Sequence, residues 1–231
     1  MIELNPNYSR STTDIIVKQN TLIRKVYAWM GAGLAITAFM ALVTLSSPAI
    51  LNAVLGNKLI FYGLIIGELV LVFTLSGAIN RLSAATATLI FIAYAALNGI
   101  TLSVVFLAYT ANSITSTFVI TAGMFGTMSL YGSMTKRDLT SWGSFLFMGL
   151  IGIIIASVVN IFVGSSAVSW VVSGIGVIVF TGLTAYDTWK IKEMAAQGIE
   201  GRKPAIIGAL TLYLDFINLF LMLLRFTGNR R

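Results

Sequence analysis

Seven uninterrupted apolar runs, each close to a bilayer's thickness in length, leave this chain very few ways to fold. They cover residues 26–45, 59–79, 86–109, 114–134, 143–163, 167–187 and 205–225. About 20 helical residues cross a hydrocarbon core of roughly 30 Å. In hydrocarbon every backbone N–H and C=O must be satisfied within the chain, so runs of this length fold as helices. The connections between them are short. The sequence therefore predicts an all-α membrane protein, a seven-transmembrane-helix bundle over residues 26–225. An N-terminal tail (1–25) and a short C-terminal tail (226–231) flank it. Only 10% of the residues are charged, against about 25% in an ordinary soluble domain, and no polar stretch is long enough to form a second domain.

The chain has no cysteine and no histidine. That excludes disulfides, thiolate chemistry, the usual zinc sites and every Ser-His or Cys-His nucleophile. No enzyme activity and no cofactor are expected. Residues 1–20 are mostly polar and lack the apolar core of a signal peptide, so the mature protein is expected to start near Met1. The net charge of +7 is better explained by loops and tails touching anionic lipid than by nucleic acid. With the N-terminus inside, eleven Lys and Arg fall on the inner side and four on the outer. The positive-inside rule thus makes the N-terminus cytoplasmic and an odd number of spans puts the C-terminus outside. The basic tail, with Arg225, Arg230 and Arg231, runs against that rule. Trp29, Trp142, Trp170 and Trp189 fall near span ends, as interfacial anchors do. Gly63-x-x-x-Gly67 and Ala95-x-x-x-Gly99-x-x-x-Ser103 are small-residue stripes expected to let helices pack closely within the bundle.

Three acids lie inside spans: Glu68, Asp187 and Asp215. Acidic groups in hydrocarbon are costly, and they face a bundle interior or a water-filled path. The remaining five, Glu3, Asp14, Asp138, Glu193 and Glu200, fall in tails or loops and are expected to be solvated. On a helix, Thr211, Asp215, Asn218, Met222 and Arg225 share an arc of about 80°. The seventh span thus carries one polar stripe among Leu, Ile and Phe, and is expected to be central. Asp187 ends the sixth span, which packs antiparallel to the seventh across a short loop. The two acids meet only if the sixth helix continues past Asp187, along Trp189, Ile191 and Met194, and the seventh starts below the bilayer surface. Carboxylates in contact cannot both ionise cheaply and share a proton. Once deprotonated they repel or attract a hard cation such as Ca²⁺, so Asp187 and Asp215 are also a candidate transient metal contact. Glu68 is about 20 Å along the helix from Arg81 and about 140° around it, so these two cannot pair. Arg81 lies at the depth of Asp187 and could pair with it, or snorkel to headgroups. Glu68, Asn218 and Thr211 are candidate members of an ion path.

The sixth span ends G-L-T-A-Y-D-T, and the seventh reads L-T-L-Y-L-D-F-I-N-L-F and closes L-L-R-F-T-G-N-R-R. This pair resembles the signature of the Bax inhibitor-1 family, the transmembrane Bax-inhibitor-motif proteins, and in particular its bacterial inner-membrane members. The resemblance covers essentially all seven spans. It implies a bundle with the seventh helix at its centre and a pH-sensitive Ca²⁺ leak channel gated by a di-aspartyl pair. It assigns the pH sensor to Asp187 and Asp215 and the latch on one aspartate to Arg81. It also implies cell-death regulation or modulation of a membrane protease as alternative roles. Intramembrane aspartyl proteases also place Tyr-Asp in a sixth helix, as Tyr186-Asp187 does here. Their second motif, Gly-x-Gly-Asp, is replaced by Tyr213-Leu214-Asp215, and no Pro-Ala-Leu follows. The residues leave open a passive cation channel, a proton-coupled cation antiporter and a non-conducting regulatory protein. Lipids, protons and calcium ions are the expected partners.

Overall fold

The computed structural model describes residues 6–199 and 201–230, with side chains described from residue 13. The expected acids Glu3 and Glu200, and Arg231, lie outside the described residues. Eight helices follow one another: α1 (Pro6–Ser46), α2 (Pro48–Gly56), α3 (Lys58–Ala78), α4 (Ala84–Ala108), α5 (Ala111–Met134), α6 (Thr140–Val163), α7 (Ser166–Ala196) and α8 (Arg202–Thr227). Seven of them, all but α2, are long and apolar enough to cross a membrane, which agrees with the seven runs in the sequence. Helix α1 begins at Pro6 and runs 41 residues, so among the described residues the N-terminal segment is helical from residue 6. The polar composition of its first turns sets where it leaves hydrocarbon, not where it starts. The short α2 was not expected. Pro48 opens it, where the missing N–H costs nothing and φ is already helical, and Asn57 caps the start of α3 through Leu59 N.

Helix α8 is the axis of the bundle. Of its most apolar window 67% is buried, against 6% in α3 and 11% in α6. It packs against α1, α4, α5 and α7, while α6 leans on α7 and α3 on α4. Tyr213, Leu219 and Leu224 of α8 are fully buried. Inside a bilayer the outer faces of α3 and α6 need no protein cover, so their exposed Leu, Ile and Phe side chains meet lipid.

The two small-residue stripes have different fates. At Gly99 a Cβ would run into the Thr37 carbonyl of α1 and come within 2.8 Å of Met40 Cβ. That stripe brings α4 and α1 into backbone contact, as expected. At Gly63 a Cβ would meet nothing, and at Gly67 only Leu97 at 3.8 Å. The α3 stripe therefore does not serve packing inside this chain, because α3 is peripheral and turns Gly63 outward.

Candidate functional site

Helix α7 does not stop at Asp187 but continues nine residues to Ala196, and α8 starts at Arg202, thirteen residues before Asp215. At 1.5 Å per residue these arms extend about 14 Å and about 20 Å from the loop. This is the extension the two acids require. Ile191 and Ala195 are buried and hold the α7 arm against the core. The Asp187 and Asp215 carboxyls come within hydrogen-bonding reach of each other across the α7–α8 seam. Asp215 is 4% exposed and Asp187 half-buried. No donor among the described residues reaches Asp215 Oδ2. A proton on either carboxyl supplies one.

The pair sits in the wall of a cavity of about 470 Å³ between α6, α7 and α8, together with Thr211, Asn218, Tyr186 and Lys190. Gly143 of α6 makes room for the Tyr186 ring, whose hydroxyl would lie 2.7 Å from a Cβ at that position. Lys190 lines the same cavity as Asp187, and its Nζ stands 5.8 Å over the Tyr186 ring. Arg81 is exposed on the α3–α4 turn, and no ion pair joins it to Asp187 among the described residues. The expected latch is therefore not engaged in this conformation. Depth placed the two residues on one level, but α3 lies beyond α4 from α7, so the turn carries Arg81 away.

The polar stripe of α8 faces α6 and α7 as a unit. Thr211, Asp215 and Asn218 line the inner cavity, and Met222 and Arg225 line a second, outer one. Between the two, Met222 fills the notch of Gly176, where a Cβ would come within 2.8 Å of its Cγ. Leu219, Phe180, Val179 and Ile153 close the gap in one apolar cluster.

Glu68 lies on the other side of α8. It is half-buried and lines a cavity of about 280 Å³ with Tyr94, Asn98, Leu214 and Asn218. Asn98 Nδ2 donates to Glu68 Oε2 at 3.2 Å and Thr101 Oγ1 to Oε1 at 2.7 Å. The Tyr213 hydroxyl donates to Asn98 Oδ1 at 3.0 Å and lies 2.7 Å from Thr37 Oγ1. Leu214 and Asn218 border both this cavity and the Asp187–Asp215 cavity. Glu68 is thus hydrogen-bonded in place beside a cavity, and Asn218 is the polar residue that the two cavities share. Asn98, Thr101 and Tyr213 were not singled out by the sequence. Asn98 alone carried a signal, as an amide in the middle of an apolar span.

Two carboxylates do not make a resident metal site. Among the described residues no three acidic side chains converge, whereas Ca²⁺ takes six to eight oxygen ligands. Outside the spans, Thr140 donates to Asp138 Oδ1 from its backbone N (2.8 Å) and its hydroxyl (2.5 Å). Those bonds hold the Asp138 carboxyl below its ordinary range. Their stabilising effect is present above the ordinary carboxylate pKa and is lost as pH falls through the lowered value. Asp138 therefore stays ionised across pH 5 to 8.

A seven-span helical bundle with a carboxyl pair on the seam between its central helix and α7 defines a polytopic membrane protein with an intramembrane acid site. The chain matches the family model described as "Inhibitor of apoptosis-promoting Bax1" over residues 19–231, and it belongs to this Bax inhibitor-1 family. It is 56% identical over 216 residues to "Inner membrane protein YbhL" of Escherichia coli K12, covering 91% of this chain and 92% of that protein. It is 47% identical to a protein of Borreliella burgdorferi over 94% of this chain and 95% of that one. It is also 40% identical to a membrane protein of Streptococcus pyogenes over 91% and 93%. The seven spans and the inner-membrane relative agree with the expected multi-pass protein of a bacterial inner membrane.

Proposed function

We propose that this protein is a pH-sensitive leak channel for cations, Ca²⁺ above all, in which Asp187 and Asp215 form the gate. The observation that carries this reading is the carboxyl pair itself. It lies on a cavity wall, across the seam between two long helices, and Asp215 Oδ2 has no donor among the described residues. With a shared proton the pair ties α7 to α8. Without it, two like charges in contact part or recruit a cation. Asn218 offers a polar step from this cavity to the one that holds Glu68, so the path bends around α8. Lipid surrounds the bundle, and protons and Ca²⁺ are the species handled.

Ca²⁺ entry into liposomes carrying the purified protein, from pH 5 to 8, tests the proposal. Wild type should conduct with a pH dependence that Asp215→Asn lacks. An unchanged pH dependence in the variant would sink the gate. Saturable flux that builds a Ca²⁺ gradient from a proton gradient would convert the reading to an antiporter. A second reading, restraint of a membrane protease or other complex, is favoured by the exposed Ile15, Ile16 and Val17 at the inner end of α1. It predicts that a double Asp187→Asn, Asp215→Asn variant keeps the cellular effect while deletion of residues 1–20 removes it.

A further inference from the structure

The orientation of the chain leaves Arg225 and Arg230 on the outer side, where the positive-inside rule disfavours them. Their surroundings supply a reason. Both line a cavity of about 400 Å³ at the outer ends of α6, α7 and α8, with Ser157, Asn160 and Ser169, and no carboxylate lines it among the described residues.

The cavity is built rather than incidental. Arg230 is held by backbone contacts of the tail. It bridges to Tyr109, Asn229 O accepts from Thr110 N at 3.1 Å, and Asn229 N donates to Ser113 Oγ at 2.9 Å. The tail turns at Gly228, where a Cβ would come within 2.7 Å of the Tyr109 ring. The Arg230 guanidinium lies over that ring at 5.9 Å. Stacking on a ring face leaves in-plane N–H donors available. Asn160 is committed, donating to Ser165 O and to Ser169 Oγ, and so ties the α6–α7 turn. The half-buried Ser157 makes no side-chain hydrogen bond and is a spare donor facing the same space. Helix-dipole compensation accounts for Arg225 in the last turn of α8 but not for Arg230, which lies beyond it.

Two guanidiniums and a hydroxyl, with no counter-charge among the described lining residues, match a phosphate, which guanidinium binds in bidentate fashion. The rim indicates where that phosphate comes from. Ile161 and Phe162 beside the cavity are 77% and 85% exposed, and Trp170 stacks on Phe226 with ring centroids 3.9 Å apart. Exposed apolar residues and a tryptophan at a span end mark the hydrocarbon–headgroup boundary. We propose that this outer cavity is a phosphate site that holds the headgroup phosphodiester of an anionic phospholipid from the outer leaflet.

The test is native mass spectrometry of the detergent-purified full-length protein, offered dioleoyl phosphatidylglycerol and dioleoyl phosphatidylcholine in equal amounts. Wild type should retain the anionic lipid preferentially. A double Arg225→Gln, Arg230→Gln variant should lose about thirtyfold of that preference, the order expected for two interfacial basic residues. The double Arg225→Lys, Arg230→Lys variant should recover part of it, and Lys58→Gln, another outer basic residue, should change nothing. Equal preference in wild type and the double Gln variant would overturn the site. Inorganic phosphate that displaces the lipid and reproduces its thermal protection would overturn the lipid as the source.

Discussion

Gly132 of α5 lies so close to the Ala185 carbonyl of α7 that a Cβ at position 132 has no room. The obstruction is backbone, two residues before Asp187, so a rotamer change cannot relieve it. Gly132→Ala should therefore push α5 from α7 and cost about 1–3 kcal/mol, the usual cost of overpacking. Gly63→Ala, where a Cβ meets nothing, should be neutral or gain up to roughly 1 kcal/mol of helix propensity. Thermal denaturation in detergent separates the two, and equal melting temperatures would contradict the close approach.

The Asp187–Asp215 pair should make stability depend on pH. A proton between the carboxyls supplies the donor Asp215 Oδ2 lacks, and its loss leaves two charges in contact. Wild-type melting temperature should fall as pH rises from 5 to 8. Asp215→Asn puts a permanent amide donor beside Asp187 and should flatten that curve. Asp138 stays ionised over this range and the chain has no histidine, so neither supplies an alternative source of the slope. A variant curve parallel to wild type would remove the pair from the pH response.

Asn218 borders both cavities, and its amide nitrogen already donates to Leu214 O at 2.8 Å, which leaves its carbonyl oxygen as an uncommitted acceptor. Asn218→Leu should lower Ca²⁺ flux by about tenfold or more, since an apolar group there removes a step that replaces hydration. The pH slope of stability should persist. Wild-type flux in this variant would place the path elsewhere.

Tyr213→Phe deletes a hydroxyl that joins Asn98 to Thr37 at the centre of the bundle. Intramembrane hydrogen bonds are worth about 0.6–2 kcal/mol each, so a loss of about 1–2 kcal/mol is expected by denaturant titration. Glu68→Gln keeps the acceptor for Thr101 but loses the bond from Asn98, so it should cost no more than about 1–2 kcal/mol while reducing cation flux. A large stability loss in Glu68→Gln would assign Glu68 to structure alone.

Arg81→Gln should leave both the melting temperature and the pH slope unchanged, because Arg81 is exposed and unpaired with Asp187 among the described residues. A shifted slope would reveal that the latch engages in a conformation other than this one.

The spans were readable because hydrocarbon imposes one length and one backbone solution. Ends were less so. Periodicity stopped the sixth run at Asp187, although buried Ile191 and Ala195 carry α7 through Lys190 and Lys192 to Ala196. The α8 stripe was legible because helical spacing alone puts Thr211, Asp215 and Asn218 on one face. Its partners were less accessible. The link from Tyr213 to Asn98 crosses 115 residues, and no local pattern shows which face of α4 meets α8. Arg81 failed for the same reason, since depth along a helix does not give direction around the bundle.

In chain order the helix at the centre of this bundle follows the helices that pack around it. While α1 to α7 enter the membrane, the positions that α8 will fill, between α1, α4, α5 and α7, stand open, and the α7 acid waits without its partner. The six or seven helices already inserted can associate only loosely. Completion of the core thus waits for α8. Deletion of α8 alone should therefore give an inserted but unassembled chain, the kind of intermediate that quality-control proteases clear.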